Sequence, residues 1–210
     1  SGEPWYVVTA VEDSVLTSRM QVVMDAINSL MVIILVVISV SVGVYIYSWR
    51  QSKKELMSLA YQDPVTLGDN FAAFKKKAKS KKDGVGWLIA MDVTDFKLIN
   101  STCGVKKGDE VLRVIWEIFE TETGENELAA HVNADRFILF WMDENQENIK
   151  QRLEHVIRKI EEIPERLEIP NLFPVFGIFH TIVLDEIDPL YGNAVQAKHQ
   201  IKGRRDRHYI

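Results

Sequence analysis

Asp92, Asp95, Asn100, Gly104, Gly108 and Asp109 crowd one stretch of the chain, Asp92-Val-Thr-Asp-Phe-Lys-Leu-Ile-Asn100-Ser-Thr-Cys-Gly104-Val-Lys-Lys-Gly108-Asp109. Carboxylates, an amide and glycines thus meet where a strand passes into a helix, and such a grouping looks like a nucleotide site. Residues 87–93 read Trp-Leu-Ile-Ala-Met-Asp-Val, an apolar run broken by one acid and flanked by Gly84 and Gly86. A run of this kind reads as a buried strand. Asp92 stands at its end, where a bare carboxylate is too costly to bury, so it has either a structural partner or a cation.

Asp92, Phe96, Lys97, Ile99, Asn100, Gly104, Gly108, Asp109 and Leu112 together resemble the signature of the GGDEF domain family, the diguanylate cyclases. Asp63-Pro64-Val65-Thr66-Leu67-Gly68-Asp69-Asn70 resembles the motif that begins that domain, with the family's Gly-Leu pair reversed to Leu67-Gly68. The segment that gives the family its name reads here Asn133-Ala134-Asp135-Arg136-Phe137. The resemblance runs from about Asp63 to the C-terminus. It implies an α+β fold of the nucleotidyl-cyclase, ferredoxin-like kind, with a central, mostly antiparallel sheet flanked by helices. It also implies a reaction in which two GTP molecules condense to cyclic di-GMP, the 3′-hydroxyl of each attacking the α-phosphate of the other. Mg²⁺ held by carboxylates would answer the developing charge.

By that resemblance Asp92 and the backbone carbonyl of Val93 would be metal ligands, and Asp135 would be a further ligand and the catalytic acid on the hairpin. Asn100 and Asp109 match the pair that recognises guanine, although Asp109 would also serve as a helix N-cap ahead of an apolar-periodic run. Lys198 and Arg204 match the lysine and arginine that contact the triphosphate, at a spacing two residues too long. Plain solvated basic residues are the other reading of both.

Departures from the family pattern gather at the hairpin tip. Two glycines occupy that turn in the family, where they tolerate positive φ and let backbone approach phosphate. Asn133 can still adopt such a conformation, whereas Ala134 costs about 1–2 kcal/mol there and adds a methyl group. Arg136 replaces an acid, which weakens Mg²⁺ binding while offering a guanidinium to phosphate. Val105 stands in place of a histidine and Ser101 in place of an acid. Gly124 and Glu127 stand where the family's inhibitory, product-binding arginine and aspartate would be, so feedback by that route is not expected.

Impaired or absent turnover is therefore expected. The reading that results is a membrane-anchored, GTP-binding regulatory module of cyclic di-GMP signalling that acts on a neighbouring domain, since degenerate copies in this family often precede an EAL phosphodiesterase domain. A working diguanylate cyclase, favoured by Asp92 and Asp135, is one alternative. A dimerisation domain without nucleotide, favoured by Ala134 and Arg136, is another.

These residues need a scaffold, and hydrophobic periodicity predicts one. Helices are expected over residues 70–82, 108–122, 147–163 and 188–202, strands over 87–93 and 173–183, and a hairpin with arms at 127–132 and 136–142. Val111, Leu112, Ile115 and Phe119 recur at helical spacing and read as core. The lysine run Lys75-Lys76-Lys77 with Lys79, Lys81 and Lys82 reads as a solvated helix face or as a contact with an anionic membrane surface.

The chain has 210 residues, a formal charge of −5 and a single cysteine. Its acidic balance argues against a nucleic-acid partner. Cys103 has no partner for an internal disulfide and reads as a small, buried or half-buried residue. Residues 26–49 carry no charge and are long enough to cross about 30 Å of hydrocarbon, so they read as a transmembrane helix. Polar sequence ahead of the run does not fit a secretory signal. Tyr45, Tyr47 and Trp49 would form an interfacial belt, and Arg50, Lys53 and Lys54 against Arg19 place the C-terminal side in the cytoplasm, at the inner membrane of a bacterium.

Ahead of the span, Pro4-Trp-Tyr-Val-Val-Thr-Ala-Val11 suits a strand with Glu12-Asp13-Ser14 as the turn after it, and it resembles the closing strand of an extracytoplasmic Cache sensor domain. With no initiator methionine, the chain reads as a piece of a longer receptor. Residues 50–62 are strong helix formers with Leu56 and Leu59 at i, i+3, which suits either a short parallel coiled coil in a homodimer or a solvated linker. The expected order is a sensor end at 1–25, the span at 26–49, the linker at 50–62 and the GGDEF-like domain at 63–210.

Overall fold

The computed structural model describes residues 4–5, 13–81, 85–184, 186–200 and 208–209. The chain divides into two compact units, Ser1–Glu55 and Leu56–Ile210. Helix α1 is continuous over Asp13–Tyr61. In the first unit its apolar side chains are exposed, Leu30, Ile33, Val36 and Val40 among them. A helix that is apolar on every side needs lipid or protein around it. Among the described residues it is the one helix, over Thr17–Tyr61, long and apolar enough to cross a membrane, with an 18-residue stretch of mean hydropathy 2.7. Asp13 and Ser14, expected in a turn, begin this helix, where short polar residues are favoured. The expected strand before them lies mostly outside the described residues.

The second unit is built on β1 (Gly86–Thr94), β2 (Leu128–Asn133), β3 (Arg136–Trp141) and β4 (Phe173–Thr181), in the order β2-β3-β1-β4. Every neighbouring pair is antiparallel. The helices are α2 (Phe71–Lys79), α3 (Phe96–Cys103), α4 (Val105–Glu122), α5 (Gln146–Glu161), α6 (Ile163–Leu167) and α7 (Ile187–His199). The sheet is buried on both faces. In β3, Phe137, Leu139 and Trp141 join the core under α4 and α5, while Ile138 and Phe140 join Phe74 and Ala78 of α2 on the other side. Successive side chains point to opposite faces of a strand, so a sheet covered twice needs an unbroken apolar run, and Phe137-Ile-Leu-Phe-Trp141 supplies it.

Most elements fall where periodicity predicts them, and the differences have local causes. Helix α4 begins at Val105 rather than near residue 108, and α3 precedes it. Gly104, at φ 87°, ends one helix and starts the next, a conformation in which a side chain would be strained. Helix α3 escapes sequence reading because it buries only Phe96 and Ile99, too short a pattern to register. The helix expected over 147–163 ends at Glu161, and a separate α6 follows with Pro164 in its first turn, where proline is tolerated. Strand β4 stops at Thr181, whose hydroxyl accepts from the Val183 amide at 3.3 Å and bends the chain away.

Candidate functional site

Strand register assembles the site. Met91 of β1 pairs with Phe137 of β3, so Asp92, the next residue, comes level with the turn that joins β2 to β3. That turn is Ala134-Asp135, closed by the pair Asn133 and Arg136. Asp135 shares a hydrogen bond with Asp92 and accepts the amide of Val93, so the three expected metal ligands come together. Burial pushes the Asp135 carboxyl up, the shared hydrogen bond and the charge of Asp92 add to the effect, and it rises from 3.8 to about 6.

Helix α7 completes the cluster by packing on β4 and β1. Lys198 is 1% exposed, and its ammonium donates to Asp92 Oδ2 at 2.8 Å. The solvated reading of Lys198 is therefore overturned, because small residues let the helix sink: Gly177 pairs with Ala90 in register, and Ala194 lies over Gly177. A cleft of about 490 Å³ opens here, with Asp92, Asp95, Lys97, Asp135, Arg136 and Lys198 as its charged lining. Arg204 lies outside the described residues.

The donors suit Mg²⁺, which takes oxygen ligands, and two carboxylates close enough to share a proton can share a cation. Among the described residues no group of three or more His, Cys, Asp or Glu side chains could hold a metal ion. Phosphate oxygens and water would have to complete the shell, as is usual for Mg²⁺.

Asn100 sits on α3 with its Oδ1 buried and without a hydrogen-bond partner among the described residues. Gly108 of α4 faces it so closely that a Cβ there would lie 1.9 Å from that oxygen. Asp109 follows Gly108 inside α4, whose N-cap is Gly104, and this removes the helix-cap reading of Asp109. An orphaned buried acceptor calls for a donor, which a ligand or a water can supply. Cys103, expected to be buried or half-buried, is exposed at the end of α3. In the lysine run, Lys75 pairs with Asp188 at 3.2 Å, Lys77 pairs with Asp69, and Lys76 lies over the Tyr61 ring at 4.1 Å.

At the hairpin tip the strained residue is Ala134, at φ 50°, while Asn133 closes β2 without a positive φ. Glycine at 134 relieves roughly 1–2 kcal/mol of left-handed strain and costs about 0.4–1 kcal/mol in unfolded-chain entropy. Ala134→Gly is expected to stabilise the domain by about 0.5–1 kcal/mol, measured as a higher melting temperature of the full chain in detergent.

Two residues that sequence reasoning missed also belong to this region. His131 donates its backbone N–H to Asp69 O at 3.0 Å, and its ring reaches Ala134 O from Nε2 at 2.9 Å and Asp63 Oδ2 from Nδ1 at 2.9 Å. It ties the motif at Asp63 to the hairpin tip. Burial raises the Asp63 carboxyl, but the Thr66 amide and His131 outweigh it and leave it below its ordinary value. The available signal was a histidine inside an otherwise apolar strand. The second is Tyr191 of α7, whose hydroxyl is buried without a partner among the described residues. Burial raises its pKa; Arg136 lowers it and the charges of Asp92 and Asp135 raise it, placing Tyr191 beside the cluster.

The profile described as diguanylate cyclase, GGDEF domain, matches residues 60–206. The chain belongs to this family. Among relatives of the GGDEF chain, a diguanylate cyclase of Vibrio cholerae serotype O1 is 26% identical over 158 residues, covering 71% of this chain and 49% of the relative. The cyclic di-GMP phosphodiesterase PdeB of Shewanella oneidensis is 31% identical over 110 residues, covering 51% of this chain and 13% of the relative. The chain thus spans half or less of the length of these relatives. Among solved structures, the coiled coil and GGDEF domain of DgcB from Caulobacter crescentus in complex with c-di-GMP matches with a TM-score of 0.65 at 18% identity. That match covers 80% of this chain and 95% of the other, and it shows the fold. In this GGDEF chain Glu127, which stands where the family's product-binding aspartate would be and was expected to open the first hairpin arm, lies just ahead of β2 and is held by Arg152 of α5.

Proposed function

We propose that this chain is a membrane-anchored GTP-binding module of cyclic di-GMP signalling, a degenerate GGDEF domain with little or no cyclase activity. The observation that carries the reading is the hairpin tip, where Ala134 holds a left-handed conformation and Arg136 sets a cation beside the two carboxylates. The methyl of Ala134 crowds the approach of a triphosphate to the turn backbone and the guanidinium of Arg136 weakens the capture of Mg²⁺, which impairs turnover while leaving base recognition intact. Asn100 Oδ1 accepts from the guanine edge, and Asp109 faces the same base. Asp92, Asp135 and the Val93 carbonyl would hold Mg²⁺, which supplies neutralisation of phosphate charge when bound. Lys198 and Arg136 offer further cations to the phosphates.

The exposed apolar helix α1 supports the anchor, with the GGDEF domain in the cytoplasm. Leu56 and Leu59, both exposed, offer a seam for a homodimer. A neighbouring EAL phosphodiesterase domain is the proposed output; the PdeB relative is a cyclic di-GMP phosphodiesterase much longer than this chain.

Calorimetry of the full chain in detergent with GTP and Mg²⁺ tests the binding reading. We expect a micromolar complex that weakens by at least about tenfold in Asn100→Ala, the cost of a lost hydrogen bond to a buried group. The second reading, an active cyclase, is favoured by the retained contact of Asp92 with Asp135. Cyclic di-GMP accumulating from GTP, and abolished by Asp92→Ala, would establish it and reject the first.

A further inference from the structure

The cleft already holds cations of its own before any ion enters, with Lys97, Arg136 and Lys198 lining it alongside Asp92, Asp95 and Asp135. Of these cations Lys198 alone is fully buried, at 1% exposure. A buried ammonium persists only when it is paired, and its partner is Asp92 Oδ2 at 2.8 Å. The placement is built into the fold. Gly177 lacks the Cβ that would lie 1.9 Å from Ala194 O and 2.5 Å from the Lys198 amide, so α7 descends until its lysine reaches the end of β1.

We propose that Lys198 is a tethered cation that holds Asp92 in place of a divalent metal, so that metal binds well only when the ammonium has moved away. The inference rests on the reading of this cleft as a nucleotide and metal site. A divalent ion needs the same carboxylate oxygens that the ammonium occupies, and two cations cannot share one oxygen without strong repulsion. The lysine stem is flexible and its charge compact, so it can swing to another anion. An incoming triphosphate provides that anion. Metal and nucleotide are thereby coupled: each binds the free chain weakly, and each improves the affinity for the other by the same factor.

The test uses the full chain in detergent, without nucleotide, titrated with Mn²⁺ and followed by electron paramagnetic resonance of the free ion. Lys198→Met is expected to bind Mn²⁺ at least about tenfold more tightly than the unaltered chain, and Lys198→Arg, which keeps the charge, to stay within about twofold of it. Equal affinities for Lys198→Met and the unaltered chain, or no binding by either, overturn the proposal. Should Lys198→Met fail to fold, acylation of lysines in the unaltered chain decides the matter. Lys198 is expected to be protected alone and to become reactive when Mn²⁺ is added at saturating concentration. Bound Mn²⁺ with Lys198 still protected overturns the proposal. Because no GTP is present, these outcomes are separate from the calorimetry: a chain that gains Mn²⁺ affinity but takes no GTP keeps the tethered cation and loses the nucleotide reading.

Discussion

Glu127→Ala is expected to destabilise the GGDEF unit by about 3–5 kcal/mol, the range for removing one member of a buried ion pair. The Glu127 side chain is 8% exposed and that of Arg152 is 27% exposed, so solvent screens the pair little. Glu127 accepts the Gly124 amide at 2.8 Å, the Met142 amide at 2.9 Å and Arg152 Nη1 at 2.7 Å. Arg152 Nη2 also donates to Glu127 and to the Glu122 carbonyl, and the guanidinium lies 4.1 Å over the Trp141 ring. One carboxylate therefore joins the loop after α4, the end of β3 and helix α5. Removing it strands two amides and leaves the half-buried Arg152 guanidinium without its counter-charge. Thermal melting of the full chain in detergent should show a loss of roughly 10 °C, given about 2–4 °C per kcal/mol for a domain of this size.

Acid titration gives the same knot a second readout. Burial pushes the Glu127 carboxyl up, but the Arg152 hydrogen bond, the Gly124 and Met142 amides and the Arg152 charge together hold it below the ordinary 4.5. A carboxyl depressed in the folded state contributes stability that is fully present above its unfolded value and is lost as pH falls through its folded value. Stability should thus decline as pH drops below about 4.5, and Glu127→Gln should flatten that decline. Asp63, also depressed, keeps its own share of the slope in the variant. An unchanged acid profile in Glu127→Gln would show that the pair contributes nothing in solution.

Gly177→Ala is the second large effect, at about 3 kcal/mol, the upper part of the range for overpacking. The added methyl would meet Ala194 O at 1.9 Å and the Lys198 amide at 2.5 Å, both backbone atoms of α7 that no rotamer change can remove. The helix must lift from β4, which takes Lys198 away from Asp92. Urea unfolding measures the stability loss. Gly192→Ala in the same helix is the control, because nothing lies within 4 Å of a Cβ at that position. There alanine should stabilise by up to about 1 kcal/mol through helix propensity alone. Equal behaviour of the two variants would mean that α7 does not pack as closely as the distances at Gly177 require.

Local signals and tertiary ones were not equally legible. Asn70, which accepts the Ala73 amide at 3.0 Å, marks the start of α2 because a cap acts within one turn. The apolar strands are likewise short-range patterns, whereas the hairpin turn is one residue shorter than the expected arms allow, because Asn133 pairs with Arg136 and extends β2. Gly104 was visible as a motif glycine, but its role as the joint between two helices depends on a conformation that no neighbour in sequence dictates. His131 offered only the weak signal of a histidine inside an apolar strand, and Tyr191 on its helix offered none, since residues of both types occur at every degree of burial.

Sequence alone determined which residues alternate and which carboxylates, amide and glycines stand at the passage from β1 into the helices, because those features depend on neighbours a few positions apart. It also determined that the hairpin tip carries alanine and arginine. Only the tertiary structure decided the partners of the charges: Lys198 lies 106 positions from Asp92, and Arg152 lies 25 from Glu127. Such pairs form when strand register and helix packing bring distant segments within a few ångströms. A buried charge then takes whatever opposite charge the fold delivers, and that choice belongs to the whole core rather than to any stretch of the chain.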